Sequence, residues 1–116
     1  IYPQGNFICA TKDTPFFQIG ESKYGKPILD RALSYDMPLD QALRCSLISF
    51  DSTLRSNVSV GLPLDCFVYQ IDSLHIPIGK RIYEEDPYFA NISKQWSETL
   101  RKGLHELPTP TADYLE

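Results

Sequence analysis

The sequence lacks the residue clusters that build metal centres and disulfide frameworks. Its two histidines, His75 and His105, are thirty positions apart and have no ligand-type residues grouped around them. Its three cysteines, Cys9, Cys45 and Cys66, are odd in number and have no CxxC spacing, which argues against a disulfide framework and against a zinc site. We therefore expect no metal and no cofactor, and we interpret the cysteines as reduced, structural thiols of a cytoplasmic protein.

Long apolar runs, excess basic charge and the common nucleotide and hydrolase motifs are missing as well. No apolar run approaches the roughly 20 residues that a membrane-spanning helix needs. The net charge is -4, with 11 Lys and Arg against 15 Asp and Glu, so we expect no nucleic-acid and no membrane partner. P-loop, GxGxxG and GxSxG motifs do not occur. Because the chain begins without Met or a signal-like leader and opens in a strand-like pattern, we expect a fragment of a longer protein.

The 116 residues that are present predict one modest domain of the α+β class. Short extended segments are predicted within residues 1–20, followed by two helices, more strands and a last helix. Residues 66–71 are dense in β-formers and predict a central strand, and residues 74–78 and 79–83 predict two further extended segments. Strands and helices that are segregated, rather than alternating, favour an α+β arrangement.

The second and third predicted helices have clear start signals and apolar stripes. Pro38 suits the first turn of the second helix, and Asp86 followed by Pro87 is typical of an N-cap and a first helical position. Asp51 is expected to lie mainly off the apolar face of the second helix. The third helix is expected to end near Leu107. The apolar stripes comprise Leu39, Ala42, Leu43, Ser46, Leu47, Phe50 and Leu54 in the second helix, and Phe89, Ile92, Trp96, Leu100 and Leu104 in the third.

Residues 49–65 form a polar hinge between the second helix and the following strand. Ser56, Asn57 and Ser59 are hydroxyl and amide groups that can orient a nucleophile or relay its proton. The alternative is that Asn57 caps the helix in a left-handed conformation while Ser59 bonds to backbone. The turn at residues 20–22 is a second candidate, because glycine lets backbone N–H groups face a ligand, but a plain turn explains it equally well.

Three separated stretches resemble one known family. They are PFFQIGESKYGKPILDR at residues 15–31, SFDSTLRSNVSVGLPLD at 49–65 and GKRIYEEDPYFANISKQWSETLR at 79–101. In this order they resemble the C-terminal half of the bacterial proteasome-type proteases called Anbu, relatives of the proteasome β-subunit and of HslV. The resemblance covers residues 1–107 in one register and leaves 108–116 as a C-terminal tail.

The resemblance implies an Ntn-hydrolase fold, a four-layer αββα sandwich of which this chain supplies the C-terminal half. Two successive helices would cover one face, and the helix after Asp86 would pack on the opposite side. The family's nucleophile is an N-terminal Thr whose own α-amine, with a pKa near ~8, serves as general base, assisted by a Lys and an Asp. Residue 1 here is Ile, so the catalytic residues are expected upstream of this chain and none within it.

The same resemblance implies a supporting site in this chain. Glu21 or Ser22 and the segment 56–59 would surround the nucleophile, with Ser59 at the family's Ser and Ser56 or Asn57 where the family has Asp. The missing carboxylate removes a charge that would raise the basicity of the amine. The implied partners are identical subunits in a ring and a peptide or unfolded-protein substrate, with any unfoldase unknown. The alternatives are a non-catalytic assembly subunit and an amidohydrolase of the same fold.

Overall fold

The computed structural model describes residues 5, 9–17, 26–57 and 59–116. The elements of this part of the chain are α1 (Lys26–Ala32), α2 (Leu39–Ser56), β1 (Leu64–Cys66), β2 (Lys80–Ile82), α3 (Pro87–Glu106) and a short 3-10 helix (Ala112–Leu115). This is an α+β architecture, as predicted. The extended segments predicted within residues 1–20 fall partly outside the described residues, and residues 9–17 contain no strand.

Local sequence signals set where the two long helices begin. α2 starts directly after Pro38, whose carbonyl accepts a hydrogen bond from the Ala42 N–H at 2.9 Å. α3 starts at Pro87, and the carboxylate of Asp86 accepts a hydrogen bond from the Phe89 N–H at 3.0 Å. Proline at the first helical position costs little because that N–H has no partner within the helix. The predicted N-cap of α3, and its end just before Leu107, are confirmed.

The core lies where α2 and α3 meet a two-stranded antiparallel sheet. Leu47 from α2, Ile82 from β2 and Phe89 from α3 are the buried apolar side chains of this cluster. Leu64 lies opposite Ile82 in the sheet. Burying an apolar side chain of this size contributes about 1.5–3 kcal/mol. The half-buried side chains packed around the cluster are Leu43, Leu54, Leu62, Leu64, Cys66 and Ile92.

The predicted central strand at residues 66–71 is wrong. β1 ends at Cys66, and the β-formers that follow are exposed, with Phe67 at 65% and Ile71 at 88%. The predicted extended segment 74–78 is likewise not a strand, whereas the one at 79–83 contains β2. A strand needs a neighbour that pairs with its backbone N–H and C=O groups, and no described segment makes such a strand pairing with residues 67–78.

The expected placement of α3 on the side opposite α2 is also wrong. α3 packs directly on α2, and α1 packs on α2 as well. This contact explains a further error, because Asp51 is buried in the α2–α3 contact while Phe50 remains 46% exposed. The burial pattern of α2 therefore follows its helical neighbour α3 as well as the sheet.

Candidate functional site

α2 continues to Ser56, so the hinge of the structure is shorter than the predicted one and comprises residues 56–60, at the end of this helix. Asn57 follows the last helical residue, and its N–H donates to the Thr53 carbonyl at 2.9 Å. Its backbone is extended, with φ -134 and ψ 110, so the left-handed cap considered from the sequence is not formed. The reason lies in the side chain, which is engaged with the residues that follow the helix.

Asn57 and Ser59 are joined into one compact turn. The Asn57 side-chain oxygen accepts a hydrogen bond from the Ser59 N–H at 3.0 Å and another from the Ser59 hydroxyl at 2.7 Å. The Asn57 carbonyl accepts from the Val60 N–H at 3.2 Å. This is an Asx-type turn, in which a side-chain amide replaces a backbone acceptor. The turn fixes the direction of the Ser59 hydroxyl relative to the end of α2.

The turn leaves defined hydrogen-bonding capacity for a ligand. The Ser59 hydroxyl uses its one proton towards Asn57, so its lone pairs remain as acceptors, and Ser59 is exposed. The Asn57 amide oxygen is occupied, so its NH₂ group is the donor that this side chain offers. Ser56 lies exposed at the end of α2 and makes no side-chain hydrogen bond with any residue that the structure describes. The hinge thus offers neutral donors and acceptors.

Two of the five predicted site residues are not among those that the structure describes. Glu21 and Ser22 fall outside the described residues, so their partnership with the hinge stays a prediction. Of the five residues expected to support a site, the structure brings Asn57 and Ser59 into direct contact and places Ser56 beside them.

A polar cluster immediately before the hinge was not predicted from the sequence. The Ser93 hydroxyl of α3 donates to Asp51 Oδ1 at 2.6 Å, and Arg55 Nε lies 3.3 Å from Asp51 Oδ2. Arg55 Nη2 also donates to the Ser93 hydroxyl oxygen at 3.0 Å. The spacing of Asp51 and Arg55, four residues apart on a helix, was an available signal for the ion pair. The contact with Ser93 joins residues 42 positions apart, and no local pattern reveals it.

Two groups away from residues 56–60 have shifted pKa values. Hydrogen bonds from Arg81 lower the pKa of the Asp65 carboxyl, in a cross-strand pair with an Nε–Oδ1 distance of 2.8 Å. Burial raises the pKa of the Cys45 thiol, which disfavours the thiolate and makes Cys45 a poor nucleophile. All three cysteines are free, and Cys9 is exposed rather than packed in a core. These shifts belong to the structural part of the chain.

The described residues contain neither a metal-binding cluster nor a membrane-spanning helix. No group of three or more His, Cys, Asp or Glu side chains there is arranged to hold a metal ion. No helix among those ranges has both the length and the apolar character to span a bilayer.

Several solved structures of Anbu proteins are similar to this chain. A structure of the helical assembly of the Anbu complex from Pseudomonas aeruginosa is 64% identical over 98% of this chain, with a TM-score of 0.92. Anbu (ancestral beta-subunit) from Yersinia bercovieri is 63% identical over 96%, with a TM-score of 0.88. Anbu from Hyphomicrobium sp. strain MC1 is 55% identical over 94%, with a TM-score of 0.88. No protein-family model and no curated protein matches the chain.

The similarity extends over nearly the whole chain. A match of this identity and TM-score defines the class as that of proteasome-like proteins. The chain belongs to the Anbu family, which confirms the resemblance carried by its three sequence motifs. It spans about half the length of these relatives, since it covers 47% of each of the three chains.

Proposed function

We propose that this chain is the C-terminal half of an Ntn-hydrolase subunit and supports an N-terminal threonine nucleophile that lies outside it. The observation that carries the proposal is the Asn57–Ser59 turn at the end of α2, in a chain that covers 47% of its Anbu relatives. The complete subunit would form the four-layer αββα sandwich. The reaction would be hydrolysis of a peptide bond in a peptide or unfolded protein.

The turn suits a supporting role because of what its side chains can and cannot do. The Thr hydroxyl attacks the scissile carbonyl while its α-amine, with an ordinary pKa near ~8, takes the proton. Ser59 can accept a hydrogen bond from that amine through its free lone pairs. Such a bond points the amine lone pair towards the Thr hydroxyl. Asn57 holds Ser59 in place at 2.7 Å.

The absence of a carboxylate from residues 56–59 has a chemical consequence. A carboxylate near the amine would favour its protonated form and raise its pKa. Neutral Ser56 and Asn57 orient without that electrostatic effect. We therefore expect an amine that remains unprotonated at lower pH than it would beside a carboxylate, and weaker ordering of the hydrogen-bond network.

The assembly is expected to consist of identical subunits. The complex of the Pseudomonas relative is named as a helical assembly, which supports self-association without fixing the symmetry for this protein. We propose a homo-oligomer in the cytoplasm whose subunits form a closed ring. In the alternative, a helical assembly, the subunits form an open array. Electron microscopy of the purified full-length protein distinguishes a closed ring from an open helical turn.

The decisive experiment is Ser59→Ala in the full-length protein. Loss of one orienting hydrogen bond predicts about a tenfold lower kcat towards a fluorogenic peptide. The melting temperature should fall much less, because the bond between the Ser59 hydroxyl and Asn57 is exposed. Ser97→Ala on α3 is the matched control, because it makes the same chemical change away from the hinge. Equal activity of the Ser59 variant and wild type at equal melting temperature would overturn the site role. Mass spectrometry of the intact protein must also find Thr at its mature N-terminus.

A non-catalytic assembly subunit is the second candidate. The lack of a carboxylate at residues 56–59 favours it, since the network would then have lost a component that orients the base. This candidate requires an oligomer that forms normally and hydrolyses neither peptides nor small amides. Hydrolysis of a small amide but of no peptide would instead support an amidohydrolase of the same fold.

A further inference from the structure

The Asp51–Arg55–Ser93 cluster connects α3 to the part of α2 that leads into the hinge. Asp51 and Arg55 occupy the last two turns of α2, and Ser93 lies in the second turn of α3. Three contacts of 2.6, 3.3 and 3.0 Å close a triangle among the three side chains. Asn57 follows Arg55 by two residues, so any displacement of this turn is passed to the hinge.

Asp51 is the most buried carboxylate among the ion pairs of the described residues, followed by Asp86 of the Lys80–Asp86 pair, whose side chain is 12% exposed. The Asp51 side chain is 7% exposed, whereas those of Lys102 and Glu106, 3.9 Å apart, are 77% and 63% exposed. A buried carboxylate is costly unless it is hydrogen-bonded and paired. Ser93 satisfies one oxygen and Arg55 the other, while Arg55, itself 58% exposed, covers the side towards solvent. The carboxylate is therefore held at one place and in one direction.

Apolar contacts alone do not provide this directional constraint. Leu47 of α2 and Phe89 of α3 belong to the buried apolar cluster. Hydrophobic attraction is non-directional, however, and permits small rotations of one helix against the other. A short hydrogen bond to a charged group depends steeply on distance and angle. The Ser93–Asp51 bond thus fixes the rotation of α2 about its axis next to the hinge.

We propose that Asp51 and Ser93 are positioning residues that set the place of Asn57 and Ser59 through the last turn of α2. The catalytic consequence rests on the function proposed above, whereas the structural placement is independent of it. Misplacement of a reacting group by about 1 Å costs up to about a hundredfold in rate. A small rotation of α2 is therefore expected to impair kcat more than substrate binding.

Hydrogen–deuterium exchange tests the placement without any need for activity. In the full-length protein, Ser93→Ala should speed exchange of the amides at residues 57–60 by about tenfold, the factor that one lost hydrogen bond represents. Ser93→Thr keeps the hydroxyl and should return exchange to near the wild-type rate. Ser97→Ala, a serine one turn further along α3 without a side-chain hydrogen bond to the described residues, should change nothing at 57–60.

Two exchange results would overturn the proposal. One is unchanged exchange at residues 57–60 in Ser93→Ala. The other is a uniform rise along α2 and α3 that matches the loss of melting temperature, which would indicate a stabilising role only. If Ser93→Ala fails to fold, Asp51→Asn is the variant to test instead. The Asn side chain has nearly the volume of Asp and still offers an acceptor to Ser93, but it lacks the charge that pairs with Arg55. Faster exchange at 57–60 is again the expected result, and unchanged exchange again overturns the proposal.

Kinetics separate this inference from the proposed function. With an active full-length enzyme, Ser93→Ala should lower kcat about tenfold with little change in KM, and Ser93→Thr should restore it. Equal effects of Ser93→Ala and Ser97→Ala on kcat would contradict the positioning role. Absence of hydrolase activity in the wild-type protein would contradict the proposed function only. The exchange experiment would then still decide whether Ser93 positions residues 57–60.

Discussion

The α2–α3 contact and the segment 67–78 are both rich in large apolar side chains, yet their environments are opposite. Leu47 and Phe89 in the contact are 4% and 5% exposed, whereas Ile76 and Ile78 in the segment are 95% and 100% exposed. Side-chain chemistry does not explain this difference, since Ile is among the residues most often buried in proteins. The difference shows that burial depends on the partner available as much as on the residue.

Hydrogen bonding divides the two regions in the same way. The contact contains a bond between side chains 42 positions apart, from Ser93 to Asp51. In the segment 67–78 the described bonds are local, such as Leu74 N–H to the Tyr69 hydroxyl at 3.2 Å and Ser73 N–H to the Gln70 carbonyl at 3.1 Å. One region is held by tertiary structure, and the other by turns. Because the relatives are about twice as long, we expect the rest of their common fold to cover the segment.

The largest expected effect concerns the exposed segment in the 116-residue chain by itself. Contiguous exposed apolar side chains promote association, so we expect this chain to aggregate or to need its missing half. Replacing Ile71, Ile76 and Ile78 together by Ser should raise its soluble fraction several-fold in a sedimentation assay, without lowering its stability.

A substitution inside the packed region provides the matched control. Ile82→Ala removes methyl groups from the buried cluster and should destabilise it by about 3 kcal/mol. If the unmodified chain is monomeric and unfolds in one cooperative transition, the distinction between the two regions fails. It also fails if the triple substitution and Ile82→Ala cost similar stability.

The next largest effect tests the polar part of the packed contact. Asp51→Ala removes the acceptor of Ser93 and the partner of Arg55, and a hydrogen bond to a charged group contributes about 1.5–3 kcal/mol. We expect a loss of about 2 kcal/mol in the full-length protein, measured by denaturant unfolding. Asp40→Ala, an exposed position on the same helix, should cost a few tenths. Similar losses of stability for the two variants would mean that the buried position of Asp51 contributes nothing to the free energy of unfolding.

The features that the sequence predicts correctly are those with local causes. The starts of α2 and α3 follow from Pro38 and from the Asp86–Pro87 pair, whose effects act within one helical turn. The family follows from three stretches of specific sequence. Asn57 and Ser59 lie close together because they are two positions apart in the sequence. The backbone conformation of Asn57 was not predicted, because it depends on which hydrogen-bond partner its side chain has.

The features that the sequence misses depend on distant residues. The burial of Asp51 requires Ser93 on another helix, and helical periodicity around α2 alone places Asp51 off the apolar face. The predicted strand at 66–71 has the right composition, but a strand also needs a neighbour, and composition does not show whether one is present. Glu21 and Ser22 stay predictions for a different reason, since they fall outside the described residues.

A smaller effect probes how the packed region begins α3. Asp86→Ala removes the side-chain acceptor for the Phe89 N–H and should cost about 1 kcal/mol. Phe89 lies in the buried cluster, so loosening this turn also loosens the core, and thermal unfolding of the full-length protein should register the loss. Glu85→Ala, one residue earlier and exposed, is the control and should leave the melting temperature nearly unchanged. An equal shift for both variants would argue against capping as the cause.

The smallest expected effect lies in the sheet of β1 and β2, whose two strands flank the segment 67–78 in the sequence. Arg81 lies opposite Asp65 in the sheet and lowers the pKa of its carboxyl by hydrogen bonding. A carboxyl with a pKa lower in the folded state than in the unfolded one stabilises the fold above its unfolded pKa, and this contribution disappears as pH falls through the folded value. Asp65→Asn should therefore lower the melting temperature slightly near neutral pH and hardly at all in strong acid. Both side chains are more than half exposed, so added salt should reduce this difference in melting temperature as well.

Glu84→Gln is the control for this prediction, because it removes the charge of an exposed acid just beyond β2 that has no cross-strand partner among the described residues. A deficit in Asp65→Asn that is equal at all pH values would show that the pair does not act through the ionised carboxylate.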